Sequence, residues 1–146
     1  MDMGLEARLI FSDLLTRFAT SADRGEAIKA LHLLTDDFQI STKDGPKPKG
    51  ALANVLMMRQ LSEYTTRHHV SEPSISSFSD ERICGVTPIV SYKVGDGKLT
   101  IGVVEFTAEI VPSNSPNGTK NWKIDRLTMA PYASAIIENP VIGIAA

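Results

Sequence analysis

RICGVTPIVSYKVGDGKLTIGVVEFTAEIV, residues 82–111, decides the fold. Two alternating runs flank Gly95-Asp96-Gly97, a turn signal between strands. In the first run Cys84, Val86, Val90, Tyr92 and Val94 share one face. Pro88 shares it too, and since proline donates no ladder hydrogen bond it must sit at an edge or bulge. The second run, 99–111, is the longest strand expected. Its even face carries Gly102, Val104, Phe106, Ala108 and Ile110. Its odd face begins apolar with Leu99, Ile101 and Val103 and turns polar at Glu105, Thr107 and Glu109. Both faces are therefore expected to be covered near the start of this strand, and only one near its end.

On the N-terminal side of this hairpin the period changes from 2 to 3.6. Thr66–Ser71 and Ile75–Phe78 read as short strands, separated by Pro73. Before them, Ala53, Leu56, Met57, Leu61 and Tyr64 fall on one face of a helix. TKDGPKPKG at 42–50 is a loop by its prolines and glycines. A short strand is expected at Phe38–Ser41, after a helix from about Arg24 to Leu34. Asp23 stands where that helix would be N-capped, with Glu26 three residues on, as in a capping box. Ala7, Phe11, Leu14, Leu15, Phe18 and Ala22 line one face of a first helix. On the C-terminal side, PSNSPNGTKN at 112–121 is a loop, and a last strand runs from Trp122 to Met129. Ala133–Glu138 is expected to form one or two helical turns ended by Pro140, within an apolar tail from about residue 131 that packs on something.

Helices first and consecutive strands afterwards give an α+β domain, with a curved, mainly antiparallel sheet wrapped around the helices in a cone. Such an interior is expected to leave an apolar pocket for a small molecule. The 146 residues are one domain's worth. Fifteen basic against 17 acidic residues, a net charge of −2, argue against a nucleic-acid binder. A single cysteine, Cys84, allows no internal disulfide and reads as a small buried hydrophobe. The apolar runs are too short to span a bilayer and the first residues do not read as a signal peptide, so a cytoplasmic location and no membrane partner are expected. On that ground Asn117-Gly118-Thr119 is read as a turn and not as a glycosylation site.

Three stretches carry a family resemblance: ADRGEAIKALHLLTDDFQI at 22–40, TRHHVSEPSI at 66–75 and NWKIDRLTM at 121–129. Their content and order resemble the SnoaL-like branch of the nuclear transport factor 2-like superfamily, over roughly residues 5–130. The resemblance implies a cystatin-like cone, often dimeric through the sheet, that hosts cofactor-independent enzymes as well as binding and assembly modules. Fold alone does not choose among these.

Alternation puts Thr66, His68 and Val70 on one face of their strand, and Val70 draws that face inward. His68 is thus the leading acid–base candidate, since imidazole titrates near neutrality. The competing reading is a buried, hydrogen-bonded histidine. The resemblance carries an acid–base role to His68 and an orienting role to Asp23, for which helix capping is the rival reading. It also exposes gaps, because 82–111 holds no second histidine and Tyr92 as its one tyrosine. Tyr64, Phe106, Trp122 and Met57 are candidate ligand-binding residues by apolar character alone. Arg67 and His69 are expected at solvent or a subunit interface, and His32 is read as structural. Adjacent His68 and His69 point to opposite faces and cannot readily share a metal, so neither a metal nor another cofactor is expected. The leading function is acid–base chemistry on a small apolar substrate, by dehydration, isomerisation or cyclisation. The alternative is a non-catalytic ligand-binding or assembly module.

Overall fold

The computed structural model describes residues 3–24, 26–60, 65–114, 117–118 and 120–138. In chain order the elements are α1 (Met3–Asp23), a 3₁₀ helix (Ala27–Leu33), β1 (Leu34–Thr42), β2 (Gly45–Pro46), α2 (Ala51–Gln60), β3 (Thr65–Val70), β4 (Ser74–Phe78), β5 (Ile83–Gly95), β6 (Lys98–Asn114) and β7 (Lys120–Glu138). One mixed sheet runs β2-β1-β7-β6-β5-β3, with β4 also paired to β5. Among the described residues only β1 and β7 run parallel. The α+β cone expected from the chain's two periods is the architecture observed.

The hairpin at its centre forms as its sequence requires. Asp96 and Gly97 both take positive φ (53° and 69°), the conformation that closes a two-residue hairpin along the strands' own twist. Pro88 falls where the neighbour of β5 changes from β3 to β4. Its missing N–H therefore breaks no ladder there, and its carbonyl accepts from Ser71 N–H at 3.0 Å. Two β6–β7 register shifts, at Val103/Val104 and Glu109/Ile110, insert Tyr132 and Asp125 as extra residues in β7. Bulges of this kind bend and coil a sheet.

Helix α1 packs across the inner face. Phe11, Leu14, Leu15 and Phe18 are buried against Phe38, Ile40, Ile89, Ile110, Ile124 and Leu127. The inner face of β5 is Ile83, Gly85, Thr87 and Ile89, while Cys84, Val86, Pro88, Val90, Tyr92 and Val94 look outward. Cys84 is thus half-buried on the outer face, opposite Glu109, and not in the core. Thr87 and Gly85 disguise the core side: the Thr87 hydroxyl is satisfied by Ser71 O at 2.7 Å, and Phe11 packs directly over Gly85.

Three further expectations are corrected. The second helix is a 3₁₀ segment preceded by Glu26, which makes no side-chain cap, and Asp23 instead ends α1. In α2 the buried residues are Asn54 and Val55, whereas Ala53 and Leu56 are exposed and Met57 is half-buried; Leu61 and Tyr64 lie outside the described residues. The segment 133–138 is not helical. It extends β7 along β6, pairing Ala133 with Val103 and Glu138 with Lys98. Ladder bonding to an already formed strand outweighs the local helical preference of Ala-Ser-Ala. Residues 131–138 are exposed, and the tail beyond Glu138 lies outside the described residues. No helix among the described residues is long and apolar enough to cross a membrane.

Asn54 explains the turn of α2. It is 2% exposed, and its Oδ1 accepts from Ile40 N–H while Nδ2 donates to Phe38 O, Pro48 O and Gly50 O. One amide thus ties β1, the loop and the helix start together. Replacing it by leucine orphans these buried groups, so Asn54→Leu is expected to lower stability by about 2–4 kcal/mol. Chemical denaturation checks this; a loss below about 1 kcal/mol would show the amide is dispensable.

Candidate functional site

His68 is on β3, an edge strand of the sheet, and pairs with Ser91. Its side chain shares the inner face with Val70, whose partner Ile89 is fully buried. An edge strand leaves alternate backbone N–H groups without a ladder partner. At His68 that group donates to Asp23 Oδ2 at 2.7 Å. The other carboxylate oxygen, Oδ1, lies 2.5 Å from His68 Nδ1. One carboxylate therefore holds both the backbone and the ring of the same histidine. Asp23 is 9% exposed at its side chain and His68 25%, so the imidazole keeps an opening to solvent while its partner is nearly enclosed.

Asp23 gains nothing from its place in the helix. It is the last residue of α1, where the helix dipole disfavours negative charge, and the last turn has no basic residue of its own. Compensation comes from β3: the exposed Arg67 guanidinium donates to Asp23 O at 3.1 Å and to Thr66 O at 2.7 Å. Arg67 thus caps the carbonyl end of α1. The sequence showed Arg67 as an outward residue but held no sign of this reach.

The hydrogen bonds set the chemistry of the ring. A carboxylate only accepts, so Nδ1 is the donor in this pair. Neutral His68 is then the tautomer whose Nε2 carries a lone pair, and no hydrogen bond engages Nε2 among the described residues. This pairing orients a histidine as an acceptor of protons at Nε2 and stabilises the imidazolium formed.

The remaining candidates do not converge on it. Phe106 is a buried core residue, paired with Thr87 and Met129, four residues along β6 from the level of His68. Met57 packs at the margin of that core. Trp122 pairs with Pro112 toward the far end of β6 and borders a groove of about 430 Å³ with Ile10, Arg17 and His32. Apolar character drew these residues into one list, but Phe106 and Trp122 stand at different levels of the β6–β7 ladder and Met57 is on α2. Tyr64 lies outside the described residues. His32 is tied down structurally, its Nδ1 2.5 Å from Lys29 O and its Nε2 3.1 Å from Arg17. Among the described residues no three His, Cys, Asp or Glu side chains group to hold a metal ion.

What the sequence reading missed is the row beside His68. Cross-strand pairing continues from His68 to Ser91, Gly102 and Ser134. Small polar residues carry no periodic signal, and only the register assembles them.

The ring geometry makes a spectroscopic prediction. A ¹⁵N–¹H correlation of the neutral protein is expected to show His68 protonated at Nδ1, and Asp23→Ala is expected to collapse that signature to a mixture of tautomers. A wild-type ring protonated at Nε2 would contradict the assignment.

No family model and no curated protein matches the chain in sequence. Solved structures do match it in shape. A scytalone dehydratase-like protein from Novosphingobium aromaticivorans superposes with a TM-score of 0.76 at 16% identity, covering 99% of each chain. The type-3 hexachlorocyclohexane dehydrochlorinase LinA from Novosphingobium barchaimii gives 0.72 at 16% identity, over 97% of this chain and 96% of its own. A nuclear transport factor 2-like protein with a cystatin-like fold, also from N. aromaticivorans, gives 0.70 at 19% identity, over 87% and 82%. The chain has the nuclear transport factor 2-like, cystatin-like fold that its sequence resemblance implies.

Proposed function

We propose that this protein is a cofactor-independent enzyme that moves a proton on a small, largely apolar molecule, with His68 as the base and Asp23 as its orienting partner. One observation carries the reading: Asp23 holds His68 at two points and leaves Nε2 as the acceptor. A histidine kept only for packing needs one satisfied nitrogen, not a carboxylate shared between its ring and its own backbone. The inner face below it is hydrocarbon, with Val70, Ile89 and Val104, which suits an apolar substrate.

Two of the structurally similar proteins are named for eliminations, dehydration and dehydrochlorination. Such a reaction fits this site. The C–H bond of the substrate breaks, its proton passes to Nε2, and its electron pair becomes the new double bond as the leaving group departs with its own pair. Asp23 stabilises the imidazolium until the proton is returned to the leaving group or to water. Isomerisation uses the same first step and returns the proton to another carbon.

A positioned general base contributes about 10²–10⁴-fold. Wild-type protein incubated with cyclic ketones and halogenated cyclohexanes in D₂O is expected to catalyse elimination or carbon deuteration above the buffer rate, followed by NMR. His68→Gln is expected to lose at least about 100-fold of that rate, and Asp23→Asn somewhat less. Undiminished turnover in His68→Gln would remove the base assignment.

A second reading rests on the outer face. Tyr92, Val94 and Ile137 are exposed there at 41%, 36% and 44%, next to half-buried Val90, Leu99, Ile101 and Val103. A contiguous apolar face of this kind suits a second copy of the sheet, and the homodimer it makes is compatible with catalysis or with a purely assembling role. Light scattering coupled to size exclusion at about 10 µM is expected to show a dimer that Tyr92→Glu dissociates. A wild-type monomer under those conditions argues against this interface.

A further inference from the structure

We infer that the groove between α1, the 3₁₀ helix and the first residues of β7 is a second binding site, apart from His68, for a small aromatic carboxylate. Arg17 takes the carboxylate and Trp122 takes the ring. The inference goes beyond the proton-transfer reading and does not need it.

An offset between two strands opens the groove. β1 begins at Leu34, opposite Ile124, whereas β7 begins at Lys120. Residues 121–123 therefore run on beyond the start of β1, and among the described residues no strand covers that side of them. Helix α1 passes the gap with Ile10, Leu14 and Arg17, which are spaced i, i+4 and i+7 and so share one face. The space left is about 430 Å³, within the ~300–1,000 Å³ of small-molecule sites. Its middle, at Leu14, lies nine residues before Asp23 on α1, about 14 Å along the helix. Neither Asp23 nor His68 borders it.

The floor of the groove is apolar. Leu14 and Leu33 are buried, and Ile10 and Trp122 are half-buried. The rim is cationic. Arg17 and Lys123 stand against one carboxylate, Asp13, on a chain whose net charge is −2. A positive groove on a negative protein draws anions to that place. Lys123 makes no ion pair among the described residues. Arg17 is answered only loosely. Asp13 Oδ2 lies 3.6 Å from its Nη1, outside hydrogen-bond range, and both side chains are more than half exposed. A pair of that kind holds weakly.

His32 fixes where the guanidinium sits. Its Nδ1 is taken by Lys29 O, so its Nε2 is an acceptor, and Arg17 Nη2 donates to it at 3.1 Å. The other N–H groups of the fork are left for a ligand, and a planar guanidinium matches a carboxylate through two parallel bonds. Neither a helix N-terminus nor a glycine turn borders the groove, so a phosphate would find no backbone cradle there. Trp122, on the β7 wall, offers an aromatic surface against which a second ring packs edge-on or offset. A ring carrying a carboxylate answers the floor and the rim together.

The test uses phenylacetate and phenylacetamide, which share a skeleton and differ in charge. Trp122 is the chain's only tryptophan, so its fluorescence, excited beyond the probes' own absorption, reads the groove directly. Phenylacetate is expected to change that emission saturably and to bind about tenfold more tightly than phenylacetamide, the worth of one charge-assisted hydrogen bond. Arg17→Met is expected to bring the two affinities within about twofold of each other. Asp13→Asn removes the competing carboxylate and is expected to tighten phenylacetate about threefold, a gain that no folding defect produces. His68→Gln is expected to bind phenylacetate as the wild type does. No saturable change up to about 10 mM, equal affinity for the two probes, a preference that survives Arg17→Met, or binding weakened by Asp13→Asn overturns the inference. Loss of binding in His68→Gln overturns it as well, because the ligand then lies at the other site.

Discussion

The carboxylate of Asp23 joins the end of the long helix to the exposed edge of the sheet, and the candidate site depends on that junction. An edge strand needs its unpaired N–H groups answered, and here a helix residue supplies the acceptor at His68. The same group then fixes the neighbouring ring. Structural and chemical demands are met by two oxygens of one side chain. Because the backbone bond sets where β3 lies relative to α1, the ring bond is short without further adjustment. Arg67, the preceding residue, completes the clamp from the opposite side by covering the carbonyl end of the helix. Two consecutive residues of β3, Arg67 and His68, thus dock the end of α1 through one guanidinium, one backbone N–H and one ring nitrogen.

Much of this was legible in the sequence, for identifiable reasons. The helical stripe Ala7–Phe18 and the alternating hairpin around Asp96-Gly97 both give strong periodic signals, because each buries one face against a large partner. The convergence of Asp23 on His68 came from resemblance and from the inward parity of Val70, and the geometry brings the two together. The side of β5 that faces the core was hidden. Its inner residues Gly85, Thr87 and Ser91 are small or polar, while its outer face holds Cys84, Val86, Val90 and Tyr92. Composition reports apolarity, not which apolar surface meets α1. The extension of β7 was hidden for another reason. Residues 133–138 are strand because β6 offers them a template, and no local rule contains that template.

The sheet also divides its labour along its length. Toward the far end of β6, Ile110, Ala108 and Phe106 fill the space under α1 with hydrocarbon. Toward the hairpin turn the inner face carries Ser91, Gly102, Lys93 and Thr100, and hydrocarbon gives way to small and polar residues. That change of side-chain chemistry within a single pair of strands sets the buried core apart from the polar end of the sheet on which His68 lies.

The division bears on why a carboxylate is needed at all. A histidine packed wholly in hydrocarbon would be held by contacts on every side, but nothing could reach its second nitrogen. A histidine on an open sheet edge would be reachable but free to turn, and a mobile base loses most of the advantage of proximity. Asp23 resolves the conflict by orienting the ring from behind, through Nδ1, so that the exposed side needs no packing partner. Orientation through Nδ1 and exposure of the rest of the ring are met together by one hydrogen bond to the helix.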